Sequence, residues 1–335
     1  MKKQYETKDY HQELTDKILK SMIQCDASGW EKPWIVGKRL PLNMVSGLPY
    51  HGVNTLALMS EGYEDPRFLT YLQIQQLSKS EDKPMTIKKG SKGIPVFKAF
   101  QVTFGGNEKP EPGEDVKPGG MMWRLKYAGT VFNASQVEGI EPFVVRENKV
   151  IGNDEVIALG QALTARTGLE IVHSEKGRAY YSVSEHAIHM PNQEKFKTSD
   201  GYYATLLHEK GHSTGPALGR KMEGVFGSAA YAFEELVAEL TSRFMGAELG
   251  VNYQSESHDN AAQYLKGWIK ALQDDKNYIF KAASQASKAT EFQLEHLKEF
   301  RLEQAQSMSM TMIKTIEKQK VFIPPVVKKS VTMTM

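Results

Sequence analysis

At 335 residues the chain is long enough for two domains and a sizeable buried core. Its 42 Lys and Arg side chains nearly balance 40 Asp and Glu, a net charge of +2, which excludes nucleic-acid binding through the whole surface and makes any such site local. The single cysteine, Cys25, excludes an internal disulfide framework; no apolar run approaches a membrane span and no hydrophobic signal segment follows Met1, so the expected location is cytoplasmic.

Residues 9–24 read as an amphipathic helix with Leu14, Ile18, Leu19, Met22 and Ile23 on its apolar stripe. A break carrying Trp30 and Trp34 follows. Residues 41–54 are rich in turn formers and pass into a helix near 55–59, and residues 68–77 read as a strand running into a short helix. Residues 87–100 look like a basic hairpin, with Lys88, Lys89 and Lys92 at its turn and an alternating return strand. A Gly-, Pro- and Glu-rich stretch over 105–120 is expected to be a mobile loop, and 123–133 is another strand. Lysines interleaved with exposed aromatics are what a single-stranded nucleic acid requires, cations for phosphates and rings for unstacked bases. Trp30, Trp34, Tyr50, Tyr71, Lys88, Lys89 and Lys92 are the candidates, although the same residue types also make ordinary packed loops.

The pattern is interrupted over 141–153, where a domain boundary is expected. Residues 154–167 form a helix closed by Gly168, followed by short strands over 169–172 and 179–183. His186 and His189 are three apart, on opposite faces of a strand, and read as structural. Residues 202–215 then contain H-E-x-x-H in a helical setting, with Ser199 or Asp200 as cap. His208 and His212 lie one turn apart on one face and can share one Zn²⁺; Glu209, roughly 100° round the helix, can take a proton from a water that the metal activates.

A catalytic zinc needs a third protein ligand. A histidine six residues past His212 is absent, since position 218 is Leu218. The next helix carries Glu234, Glu235 and Glu239 among Leu236, Val237 and Leu240, a pattern of a packed rather than a solvated helix. Glu235 is the expected ligand, Glu239 a carboxylate that orients a ligand histidine, and Glu234 the competing ligand. Helices over 260–272 and 275–289 follow. His258 and Tyr231 are weaker candidates for stabilising an oxyanion. The stretch from Met308 lacks a foldable pattern and is expected to be disordered.

Taken together, the chain resembles the ArdC-type antirestriction proteins of conjugative plasmids and their phage relatives. The resemblance is carried by Trp30 to Trp34, Asn43 to Asn54, Phe68 to Tyr71, Lys89 to Gly93, Val131 to Gly139, Tyr202 to Gly215 and Phe226 to Leu240. It implies an α+β chain of two domains: a single-stranded-DNA-binding α+β domain over 1–140 and, after a linker over 141–153, a mainly helical zincin-like metallopeptidase domain with a small sheet over 154–307. It further implies zinc on His208, His212 and a glutamate of the 234–235 pair, Glu209 as base, a DNA surface that includes Asn54, and a role in shielding incoming DNA from host restriction. One departure is the segment 216–219, which lacks the His- and Arg-containing sequence expected after Gly215 and leaves the substrate contacts there undefined. The rival reading is a DNA-coating protein with a structural zinc site and no proteolysis.

Overall fold

Spacings of four, four and three residues bring Leu14, Ile18, Met22 and Cys25 to one face of α1 (Tyr10–Ala27), and all four are buried. The structure, a computed structural model, describes residues 9–27, 39–103, 120–144, 152–175, 177–222, 228–251 and 261–320. Trp30, Trp34, the expected loop over 105–119 and His258 lie outside them.

The N-terminal sheet comprises β1 (Leu42–Asn43), β2 (Arg67–Thr70), β4 (Ile94–Thr103) and β5 (Met121–Asn133), in the order β1-β2-β5-β4. Only the β1–β2 pair is parallel. Between them lie α2 (Val53–Met59) and α3 (Tyr71–Ser80), the latter opened by a capping box of Thr70 and Gln73. The basic hairpin expected over 87–100 does not form. β3 (Thr86–Ile87) pairs with β6 (Val137–Glu138), while β4 pairs along its whole length with β5. The lysine turn thus links two sheets, because β5 offers β4 a ten-residue ladder that a two-residue strand cannot match.

In the C-terminal half, α4 (Gly152–Thr167) precedes a three-stranded sheet of β7 (Glu170–Ser174), β8 (Tyr180–Ser182) and β9 (Ala187–Pro191), ordered β7-β9-β8. Then come α5 (Ser199–Ser213), α6 (Ala229–Leu249), α7 (Ala261–Asp274) and α8 (Tyr278–Lys320). α5 is capped by Thr198, one residue before the caps expected, and α6 is closed by Gly250 in the left-handed conformation. The helix expected to end at 289 continues to Lys320, so residues 308–320 are helical, with 308–313 exposed. That stretch has lost the apolar period but contains neither Gly nor Pro, and its Met, Lys, Gln and Glu favour the helix.

The largest core crosses the expected boundary. Ile18 and Met22 of α1, Leu56 of α2 and Phe97 of β4 pack with Leu240 of α6, Trp268 of α7 and Phe280 of α8. Polar ties reinforce the join: the Gly52 amide donates to Ser287 Oγ at 2.6 Å, and Thr15 Oγ1 donates to the Lys276 carbonyl at 2.8 Å. A second core of α4, α5, α6 and β9 holds the other side of α5. No described helix is long and apolar enough to cross a membrane.

Candidate metal centre

α5 and α6 meet closely because Gly211 lacks a side chain. A Cβ there would stand 3.1 Å from the Ala238 Cα and 3.3 Å from its carbonyl oxygen. Ser242 Oγ donates to the Ala204 carbonyl at 2.9 Å, a buried polar tie between the same helices. This crossing sets the histidines of one helix against the glutamates of the next.

His208 and His212 converge through Nε2, with the two nitrogens 3.2 Å apart. Glu235 completes the triangle: Oε2 is 3.4 Å from His208 Nε2 and Oε1 is 3.6 Å from His212 Nε2. Ligands bonded at about 2.0–2.1 Å to a tetrahedral ion stand roughly 3.3 Å from one another, so these donors fit one metal without rearrangement. Among the described residues this trio is the one group with metal-binding geometry, its donor atoms lying within 4.8 Å. His186 and His189 are elsewhere engaged, with the Tyr181 hydroxyl at 2.8 Å and with Glu185 at 2.7 Å.

Two further glutamates of α6, Glu234 and Glu239, face the outer nitrogens of the histidines. Glu234 Oε1 is 3.2 Å from His212 Nδ1, and Glu239 Oε2 is 3.9 Å from His208 Nδ1. Each carboxylate is held by an arginine. Arg220 forks onto Glu234 at 2.9 and 3.0 Å, and Arg243 Nε donates to Glu239 at 3.0 Å. Arg220 also donates to the Gly211 carbonyl at 2.7 Å and Thr214 Oγ1 at 2.8 Å, closing the end of α5. Glu234 is therefore a buried hydrogen-bonded support for His212, Glu239 faces His208 Nδ1 from beyond hydrogen-bond distance, and only Glu235 sits on the converging side.

Sequence reasoning passed over both arginines. Arg243 carries a local signal, four residues after Glu239 on one helix. Arg220, just past the atypical segment 216–219, has no such periodic signal, because its partners are brought to it by a reversal of the chain.

Charge follows from this geometry. Burial disfavours the charged imidazole of His208, but Glu235, then Glu209 and Glu239, outweigh it and hold the group up at about 9. Burial would raise Glu235; its contacts with His208, His212 and Tyr231 instead bring it down to about 2. Glu209 shifts the other way: burial pushes its carboxyl up against the opposing pull of both histidines, and the Tyr181 amide donates to it. The Tyr231 phenol is raised by burial and then by its bonds to Tyr264 and Glu235, so it is a neutral donor at the edge of the centre. The Tyr264 hydroxyl donates to it at 3.1 Å. These groups lie in a cleft of about 640 Å³ bordered by β8, whose edge away from β9 pairs with no described strand.

The other candidates sort differently. Tyr71 is 54% exposed at the start of α3, its hydroxyl accepting from Gln75. Lys88, Lys89 and Lys92 are exposed on a loop fastened to the one-turn 3₁₀ helix Ala134–Gln136, where Lys88 Nζ donates to the Ser135 carbonyl at 2.7 Å. Tyr50 is turned inward against Phe68. Asn54 both donates to the Phe97 carbonyl and accepts from its amide, each at 2.8 Å, a brace between α2 and β4.

Two histidines one turn apart, a glutamate from the adjoining helix and a buried glutamate beside them, on an α+β scaffold, define a zincin-like metal-binding protein. The chain matches the family described as zincin-like metallopeptidase over residues 159–285, and the N-terminal domain of anti-restriction factor ArdC over residues 8–132. Crystal structures of the antirestriction ArdC protein from plasmid R388 superpose on it, the metal-free form with 32% identity and a TM-score of 0.64 over 88% of this chain and 99% of that one. The Mn(II)-bound form gives 33% and 0.63. The chain belongs to the ArdC-type antirestriction family. It is also 35% identical over 301 residues to an Escherichia coli DNA primase TraC, spanning 86% of this chain but only 27% of the primase. An uncharacterized Sinorhizobium fredii protein, y4eC, is 34% identical over 85% of this chain and 91% of its own length.

Proposed function

We propose that the protein is a zinc-dependent peptidase joined to a single-stranded-DNA-binding half, and that it limits host restriction of DNA entering on a mobile element. The observation that carries the peptidase reading is the triangle of His208, His212 and Glu235 opening on a cleft with Glu209 beside it. Three protein donors leave one position of a tetrahedral ion for substrate or water, as catalytic rather than structural sites do. When bound there, zinc supplies Lewis acidity that lowers the pKa of a water and polarises a peptide carbonyl.

The chain's own groups do the rest. Glu209, raised by burial and held by the Tyr181 amide, accepts the proton of the attacking water and passes it to the leaving amine. The free edge of β8 receives the substrate as an added strand. Tyr231, kept neutral, accepts from the Tyr264 hydroxyl and turns its single proton to Glu235, steadying the carboxylate that faces the metal. In the other half, Tyr71 offers an exposed ring, and Lys89 and Lys92 offer cations to a single strand. The family name and the N-terminal match support the antirestriction setting.

The test is zinc content of the wild type and Glu209→Gln, with cleavage of a host lysate followed with and without single-stranded DNA. Glu209→Gln is expected to keep its metal and lose cleavage by about 10³-fold or more. If both proteins hold zinc and neither cleaves, the centre is structural and the DNA-coating function stands alone.

A further inference from the structure

The floor of the metal cleft holds compensated charges, whereas its mouth carries exposed cations. Every carboxylate that lines it is buried and engaged: Glu209 with the Tyr181 amide, Glu234 with Arg220, Glu235 with the two histidines, Glu239 with Arg243. The exposed charged side chains of its lining are all cations: Arg178, Lys195, Lys197 and Lys221. Lys195 is paired with Glu175 at 2.8 Å. Arg178, Lys197 and Lys221 have no carboxylate within 4.0 Å among the described residues.

They come from three separate segments of the cleft lining. Arg178 lies two residues before β8, and its charge favours ionisation of the Tyr264 phenol that also lines the cleft. Lys197 lies two residues before α5 begins, and Lys221 follows Arg220, which bonds the Gly211 carbonyl and Thr214 at the other end, so these two cations belong to opposite ends of a helix of about 20 Å. An extended peptide covers that distance with about six residues.

We infer that this rim selects peptides bearing acidic side chains on both sides of the scissile bond. The inference rests on the peptidase reading of the centre and names its substrate class. A peptide can set its carboxylates at the rim while a neutral backbone crosses the buried floor. A nucleic-acid strand carries a phosphate at every residue and must place some of them over Glu209 and Glu235. Low-dielectric walls focus the field of the three cations into the cleft, which favours the first occupant and penalises a basic peptide.

The experiment uses the zinc-loaded full chain and a series of fluorescein-labelled phosphinic peptides, which resist hydrolysis, with Glu, Gln or Lys at the two positions on either side of the phosphinate. Binding is followed by anisotropy. Glu-flanked peptides are expected to bind about tenfold or more tighter than Gln-flanked ones and Lys-flanked ones weaker still, with the spread shrinking as salt is raised. The triple variant Arg178→Gln, Lys197→Gln, Lys221→Gln is expected to lose the preference while binding the Gln-flanked peptide as the wild type does. Equal binding of the Glu and Gln series, or a preference unchanged in the triple variant, overturns the proposal. So does displacement of the Gln-flanked peptide by oligo(dT) that the triple variant abolishes, since the rim would then serve nucleic acid. Cleavage of the corresponding amide peptides is scored separately: its absence counts against the peptidase reading and leaves the binding result to decide the specificity.

Discussion

Replacing Lys210 by methionine is expected to stabilise the metal-free protein at neutral pH, although it deletes a charge and a hydrogen bond. Lys210 is fully buried in α5, and its ammonium donates to the Val156 carbonyl of α4 at 2.8 Å. Gly160 leaves the room for it, since a Cβ there would stand 3.4 Å from Nζ. Burial brings the group from its ordinary 10.5 down to about 7. A base lowered in the folded state adds no penalty above its unfolded pKa. As pH falls, the unfolded chain gains the proton first, and the penalty grows until it levels off below the folded value. The linkage amounts to about 4 kcal/mol at pH 7, about 2 kcal/mol at pH 9 and almost nothing at pH 10.5. Methionine matches the length of the stem and brings no charge, so Lys210→Met should gain most of that difference at pH 7 and nothing near pH 10.5. Urea unfolding of wild type and variant in chelator, at intervals from pH 7 to 10.5, measures it. A difference that stays constant across that range, or a variant less stable at pH 7, refutes the reasoning: the ammonium would then be solvated or firmly paired.

The remaining expectations concern the metal and the DNA surface. Glu235→Gln should abolish tight zinc binding, whereas Glu234→Gln should weaken it by only about 10- to 100-fold through a poorly held His212; competitive chelation titrations separate the two. Because His208 titrates at about 9 without metal, the ion must displace its proton, so zinc affinity should rise about tenfold per pH unit from near 6.5 to 9 and then level off. In the same window the metal-free protein loses the stability that the charged His208 supplies below pH 6.5; because the Lys210 penalty relaxes over the same range, a melting series in chelator should show that decline in Lys210→Met and a much flatter profile in the wild type. Tyr71→Ala should weaken single-stranded DNA binding by about 1–3 kcal/mol with little change in melting, while Asn54→Ala should lower the melting temperature first, as anisotropy and thermal unfolding on the same samples would show.

Much of the centre is written locally. H-E-x-x-H on a capped helix sets His208 and His212 on one face whatever surrounds it, because helix geometry depends only on neighbours in sequence. The stripe of α1, the strand and helix of 68–77 and the second metal helix are legible for the same reason, and the apolar partners of the α6 glutamates already spoke against a solvated face. What local rules cannot supply is the choice among Glu234, Glu235 and Glu239. The crossing of α5 and α6 at Gly211 assigns one to the converging nitrogens and two to the outer ones. The pairing of β4 with β5 instead of β3, the role of Arg220 and the core that unites the two halves are likewise contacts between distant residues. Sequence by itself determined the ligands that one turn of helix brings together. Only the tertiary structure decided which carboxylate joins them and that the exposed charges lining the cleft are cations, because both depend on how separate elements pack, and packing has no period to read.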